Sequence, residues 1–182
     1  MCCSVFVGAG YYYINANLQP VENEAESVPY SQESPQNAGV LLDISGDETY
    51  FYLDFESEKL YVTLKPFEDS ENYGYSVDYT ITTHYEILSN IVDYVGGIDM
   101  SVDDTILRCT GIQVCSIYQS SANGKIKREI IEKICEKITE NGVALDFFAN
   151  IIENSQTDLS IPDCYFWDEK IQILCRNLQI ID

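Results

Sequence analysis

Residues 40–182 are predicted to fold as a mixed α/β domain, a central mixed sheet that opens with hairpin strands and carries helices packed on it. Three observations lead there. Segments rich in Tyr, Phe, Val and Leu crowd between Val40 and Lys65 with polar turns between them. From Val77 onward, short extended stretches alternate with stretches of helical period. Finally, a chain of 182 residues, 46% apolar and 22% charged, can close its own core without a metal or a disulfide framework.

The first fourteen residues carry no charge and end on Tyr11-Tyr12-Tyr13-Ile14. As a helix they would reach ~20 Å, short of a ~30 Å hydrocarbon core, and no basic n-region precedes them. The run resembles the outer half of a membrane anchor with its aromatic belt; a disordered end or a packed edge strand are the alternatives. Residues 15–39, with three prolines and four glutamates but no base, read as an acidic linker.

Strands are expected at Val40–Ile44, Thr49–Phe55 and Lys59–Lys65, where Leu60, Val62 and Leu64 alternate with Tyr61 and Thr63. Glu56-Ser57-Glu58 makes a hairpin between the last two. A strand at Val77–Thr82 leads into a helix from His84 to Val95, with Thr83 and Glu86 as its capping box and Gly96 as its stop. An extended piece at Ile98–Val102 and a strand at Ile112–Tyr118 follow. The longest helix runs from about Asn123 to Gly142 on the stripe Ile126, Ile130, Ile131, Ile134, Cys135 and Ile138. Ala144–Ile152 is a further helix, and a last one, capped by Ser160 and Asp163, extends through Trp167 and Ile171 to Leu178.

Charge and cysteine usage exclude some functions. Thirty acidic against ten basic residues give a net charge of −20, so nucleic acid and anionic lipid surfaces are poor partners for the surface as a whole. Seven cysteines without a Cys-x-x-Cys pair, and a single histidine, argue against structural zinc and for buried free thiols. Cys164 and Cys175, read on one helix, stand too far apart to pair. His84 has no evident nucleophile partner and reads as a surface residue. Tyr11–Tyr13, Tyr50, Tyr52 and Tyr61 offer either a sugar-stacking surface or a sheet cover.

Two places could carry chemistry. Lys125, Lys127, Arg128, Lys133 and Lys137 put half of all basic residues within one helix. Lys133 and Lys137 complete a solvated face. Lys125 and Arg128 lie in the first turn, where the helix dipole favours carboxylates, and free N–H groups beside Gly124 would complete a phosphate site there. The alternative is neutralisation by Glu129 and Glu132. The second place is Asp43-Ile44-Ser45-Gly46-Asp47-Glu48, whose oxygens could hold Mg²⁺ or Ca²⁺, with Asp47 and Glu48 the candidate metal ligands. It is similar to the Asp-x-Ser-x-Ser motif of von Willebrand A domains but departs at Asp47 and in the strand that follows, which leaves a polar turn as the other reading. Asp99, Asp103 and Asp104 read as a solvated loop.

The order of segments resembles the LytR-CpsA-Psr (LCP) family. Ile91-Val92-Asp93-Tyr94-Val95-Gly96-Gly97-Ile98-Asp99-Met100 is similar to that family's Val-Asp-x-x-Gly-Gly signature. Leu107-Arg108-Cys109-Thr110-Gly111-Ile112-Gln113-Val114 is similar to its Leu-x-Gly-x-Gln-Ala segment, and Thr157-Asp158-Leu159 to its Thr-Asn/Asp-Leu ending. The resemblance implies an extracytoplasmic bacterial domain that transfers a glycopolymer from a polyprenyl-pyrophosphate carrier, with arginines on the pyrophosphate and aspartates on Mg²⁺. Of the residues carried over, only Arg128 matches outright. Lys125 replaces an arginine, Gln119 and Ser121 replace two more, and Ala122 replaces an aspartate. The Ile-Pro-Arg-Asp segment has become Leu64-Lys65-Pro66-Phe67, Glu48 replaces the aspartate before Thr49, and Phe67–Val77 is short where the family has a long insertion. The resemblance therefore implies an LCP-like envelope domain, anchored in the membrane or secreted, that binds or regulates without transferase activity. A cell-wall glycopolymer or polyprenyl-phosphate lipid is the expected partner, and no resident cofactor is expected. A reduced phosphotransferase using Lys125 and Arg128, with Glu48 near Mg²⁺, is the alternative.

Overall fold

The computed structural model describes residues 38–47, 49–64, 76–102, 105–121, 124–164 and 167–181. The first three strands, β1 (Gly39–Ile44), β2 (Tyr50–Asp54) and β3 (Lys59–Thr63), form an antiparallel meander. Residues 55–58 make the β2–β3 turn, where the Asp54 carboxylate accepts from the Ser57 amide at 2.9 Å. β4 (Tyr79–Thr83) adds to the other side of β1 in parallel, β7 (Gln156–Thr157) caps that edge, and β8 (Leu178–Ile181) adds in parallel to β3. The six-stranded mixed sheet has the order β7-β4-β1-β2-β3-β8.

Strand alternation divides the sheet. Val40, Leu42 and Ile44 of β1 align with Leu53 and Phe51 of β2 and with Leu60 and Val62 of β3, and this face packs under the helices. The opposite face carries Leu41, Tyr52 and Tyr61 in one row, then Asp43, Tyr50 and Thr63 in the next. Tyr52 is buried there, its hydroxyl donating to the Ser76 carbonyl at 2.8 Å, with its ring 6.3 Å from that of Tyr61.

Among the described residues, five helices cover the core face: α1 (Glu86–Tyr94), α2 (Gly111–Ser120), α3 (Gly124–Asn141), α4 (Leu145–Glu153) and α5 (Trp167–Arg176). β5 (Ile98–Val102) and β6 (Thr105–Cys109) form a separate hairpin. Trp167 stacks on Phe55 at 4.5 Å and meets Phe148 edge-on, tying α5 to the sheet and to α4.

Three expectations are corrected. The segment expected as a strand at Ile112–Tyr118 is the helix α2: its buried residues Gly111, Val114, Cys115 and Tyr118 follow helical spacing, and the Gln113 side chain accepts from the Thr110 amide at 2.9 Å to start it. Thr83 and Glu86 make no capping box, because Thr83 ends β4 and donates to the Asn154 carbonyl. The last helix stops at Arg176; Ser160 and Asp163 instead close a 3₁₀ turn, Ile161–Cys164, and Leu178 belongs to β8. Cys164 and Cys175 consequently sit on different elements. With Cys109, Cys115 and Cys135 they are buried free thiols.

The signature segments form one joint. Gly96 and Gly97, at φ +80° and +87°, turn α1 into β5, and Arg108 donates twice to the Gly96 carbonyl while pairing with Asp99 at 3.3 Å. Asp93 accepts from the Gly111 amide at 2.7 Å, holding the start of α2 against α1 so closely that a Cβ on Gly111 would lie 2.1 Å from the Ser89 carbonyl oxygen. Among the described residues no helix is long and apolar enough to cross a membrane.

Candidate functional site

The turn after β1 is built to place one carboxylate. Gly46, at φ +82°, allows the reversal, and the Ser45 amide donates to the Thr83 carbonyl at 2.7 Å. Asp47 is thereby aimed at the end of α2 and the start of α3. Its Oδ1 accepts from Lys127 Nζ, and its Oδ2 accepts from the Tyr118 hydroxyl at 2.5 Å and from Thr49 Oγ1 at 2.7 Å. Lys127 also lies over the Tyr118 ring, 4.7 Å from its centre.

Thr49 and Tyr118 are each 1% exposed, so their hydroxyls have no recourse to bulk water. The hydroxyl oxygens of Thr49 and Tyr118 are themselves 2.7 Å apart. Three oxygens in mutual contact share two hydroxyl protons, so an ionised Asp47 always leaves one of the three contacts without a proton. Lys127 on the other carboxylate oxygen compensates that crowding with charge. Burial alone would raise the Asp47 carboxyl, but the hydrogen bonds from Lys127, Tyr118 and Thr49, with the Lys127 charge, hold it below the usual carboxylate range. Burial, then the Asp47 hydrogen bond, push the Tyr118 phenol well above its ordinary value.

In the core lies an apolar cavity of about 110 Å³ that none of the four cluster residues lines. Ile44, three residues before Asp47, lines it, as does Ile131, one turn after Lys127; Phe51, Leu88, Phe148 and Cys175 form other parts of its wall. By volume it approaches the ~150 Å³ cavity that takes a benzene, and it is well below the ~300–1,000 Å³ typical of small-molecule sites.

The residues singled out in the sequence are placed as follows. Lys125 is exposed and Arg128 half-buried in the first turns of α3, whose first residue, Gly124, lies against Leu64 just past β3. Asp47 is in the cluster, while Glu48 and Ala122 lie outside the described residues. Asp43, on the opposite sheet face, takes no part in the cluster, so the turn does not assemble an i, i+2, i+4 ligand set. Gln119 is exposed at the end of α2, and Ser121 follows it. His84 is exposed before α1, and Asp99 is paired with Arg108 rather than free in a loop. Lys127, Tyr118 and Thr49 are the site residues that sequence reasoning missed. The described donor set does not fit a divalent cation: an ammonium group occupies the Asp47 carboxylate, and no three His, Cys, Asp or Glu side chains converge among the described residues.

No protein-family model matches the chain, and no curated protein matches it. Solved structures do. A transcriptional regulator from Enterococcus faecalis superposes with a TM-score of 0.55 at 15% identity, over 79% of this chain and 74% of its own. A Listeria innocua protein superposes with a TM-score of 0.55 at 17% identity, over 79% and 81%. TagT bound to LIIa-WTA superposes with a TM-score of 0.56 at 13% identity, over 79% and 77%. At these identities the likeness establishes the fold: the mixed sheet and its five helices have an LCP-like architecture.

Proposed function

We propose that this chain is an LCP-like domain of the bacterial cell envelope, on the extracytoplasmic face of the membrane, that binds a cell-wall glycopolymer or its polyprenyl-phosphate carrier without transferring the polymer. The observation that carries this reading is the closed state of Asp47. A transferase of the kind the resemblance implies needs carboxylates free for Mg²⁺ and several cations free for a pyrophosphate, whereas here the carboxylate and a lysine of the α3 start neutralise one another. The remaining balance points the same way, since residues 40–182 hold 26 acidic and 10 basic side chains. The cavity, of about 110 Å³, has room for a short apolar group. The ligand carried by TagT supports a glycopolymer as the partner class.

One observation favours a second reading, a reduced phosphotransferase: Lys125 and Arg128 stand in the first turns of α3, the helix whose later turns, from Ile131 to Ile138, line the apolar cavity. A single experiment separates the two. The chain is titrated with a short polyprenyl phosphate and the matching pyrophosphate, then incubated with a polyprenyl-pyrophosphate-linked sugar, peptidoglycan and Mg²⁺. Binding weakened several-fold by Arg128→Ala, with no polymer transferred, is the expected result. Transfer above a no-protein control that Arg128→Ala abolishes would establish the enzyme reading instead, and absence of binding to either lipid would remove the partner assignment.

A further inference from the structure

Cys135 lies on α3 and Cys175 on α5. The two helices pack together, both residues are 5% exposed, and both line the apolar cavity. The Cys135 thiol is near enough to Cys175 to raise that thiol's titration. Helix axes that pack at ~8–10 Å, each with its Cα atoms ~2.3 Å from the axis, leave directly facing Cα atoms about 3.4–5.4 Å apart, a range whose upper part overlaps the ~4.4–6.8 Å that a disulfide spans. The remaining described cysteines are held otherwise: Cys109, Cys115 and Cys164 direct their thiols to the carbonyls of Leu107, Tyr85 and Ser160.

We propose that Cys135 and Cys175 are a redox-sensitive pair whose oxidation staples α3 to α5 along the cavity wall. The chemistry balances with an external disulfide such as oxidised glutathione. One cysteine, as thiolate, attacks a glutathione sulfur and expels a glutathione thiolate. The second then loses its proton and attacks the protein sulfur of the mixed disulfide, expelling the other. Two protein thiols are oxidised, one glutathione disulfide is reduced to two thiols, and the bond formed joins the two Sγ atoms. Hydrogen bonding to Cys135 and burial both push the Cys175 thiol far up, so little thiolate forms in the closed molecule and exchange waits on transient opening of the α3–α5 contact. Once formed, the bond closes a loop of about 40 residues and fixes one side of the cavity. The proposal is independent of what the cavity binds.

The test uses the full chain. It is incubated with oxidised glutathione in mild urea, remaining thiols are alkylated, and the protein is digested and mapped by mass spectrometry beside a reduced control. The expected products are a Cys135–Cys175 linked peptide and a Tm higher by about 5–15 °C, both reversed by reductant. Cys135→Ala should abolish the rise; the peptide map of the unsubstituted chain decides the matter even if that variant folds poorly. Recovery of both cysteines alkylated after prolonged oxidation, or bonding of either to Cys164 in place of the other, would overturn the proposal.

Discussion

Replacing Lys127 with methionine removes the positive charge that pairs with Asp47 while keeping a stem of similar length against Tyr118. Its cost follows from the environment of the pair. Each side chain is 19% exposed, between an exposed ion pair, worth about 0.2–1 kcal/mol, and a buried one, whose breaking costs about 3–5 kcal/mol. Asp47 keeps its hydrogen bonds from Tyr118 and Thr49, which argues for the lower half of that interval, and loss of the cation over the Tyr118 ring adds roughly 0.5–1 kcal/mol. The expected loss at pH 7 is about 2 kcal/mol, or about 4–8 °C in Tm. Urea unfolding followed by fluorescence reads it directly, because the only tryptophan, Trp167, is buried on Phe55. The sign with pH is fixed by Asp47, whose folded carboxyl lies below its unfolded value near ~3.9. The stabilisation is therefore fully present above pH ~4 and drains away as pH falls through the lowered folded value. Parent and variant should converge in acid. A loss under about 0.5 kcal/mol at pH 7, or a gap that persists undiminished at pH ~2, would refute the closed-site argument.

Tyr118→Phe leaves Asp47 and Thr49 with one proton for one contact; it should cost about 1 kcal/mol by the same urea assay, and a double-mutant cycle with Lys127→Met should show coupling above about 0.5 kcal/mol. Gly111→Ala drives a methyl group into the Ser89 carbonyl and should lower stability by about 2–3 kcal/mol or more, with soluble expression and Tm as readouts. Ile112→Lys, at a site 74% exposed on the same helix, should stay within about 0.5 kcal/mol of the parent, which separates the close approach at Gly111 from a general sensitivity of α2.

Where one periodicity dominated, the fold was legible. The β1–β3 meander announced itself through alternation at Leu60 and Val62, and α3 through an isoleucine stripe whose central members are all buried. The failures share a cause. In Ile112–Tyr118 the density of β-branched residues outweighed spacing, although Gly111, Val114, Cys115 and Tyr118 already fell on one helical face and Ile112 was left to solvent. That error concealed Tyr118, since only on a helix does it join the buried stripe and reach Asp47. Lys127 was hidden differently. It lies four residues before Ile131, on the extension of the buried face, where a lysine needs a carboxylate from elsewhere in the chain, and the partner, 80 residues away, is brought there by a turn that local rules place only as a turn. β7 and β8 are two and four residues long and owe their strand form to the edges they complete.

The residues that made the chain resemble a family are, in this molecule, the ones that join its parts. Asp93 holds the start of α2, Gly96 and Gly97 turn α1 into the hairpin, Arg108 ties that hairpin back, and Gly111 permits the α1–α2 contact. Each acts on backbone groups, so each can be kept by the demands of folding alone. The candidate site is a different set, at the far end of α2 and the start of α3, where Tyr118, Asp47 and Lys127 satisfy one another. Backbone likeness at 13–17% identity follows the first set and is indifferent to the second. A substitution at Lys127 that reopens Asp47 thus asks a question about function that the joint at Asp93 and Gly111 cannot answer, and the lipid titration with Arg128→Ala asks it from the cationic side.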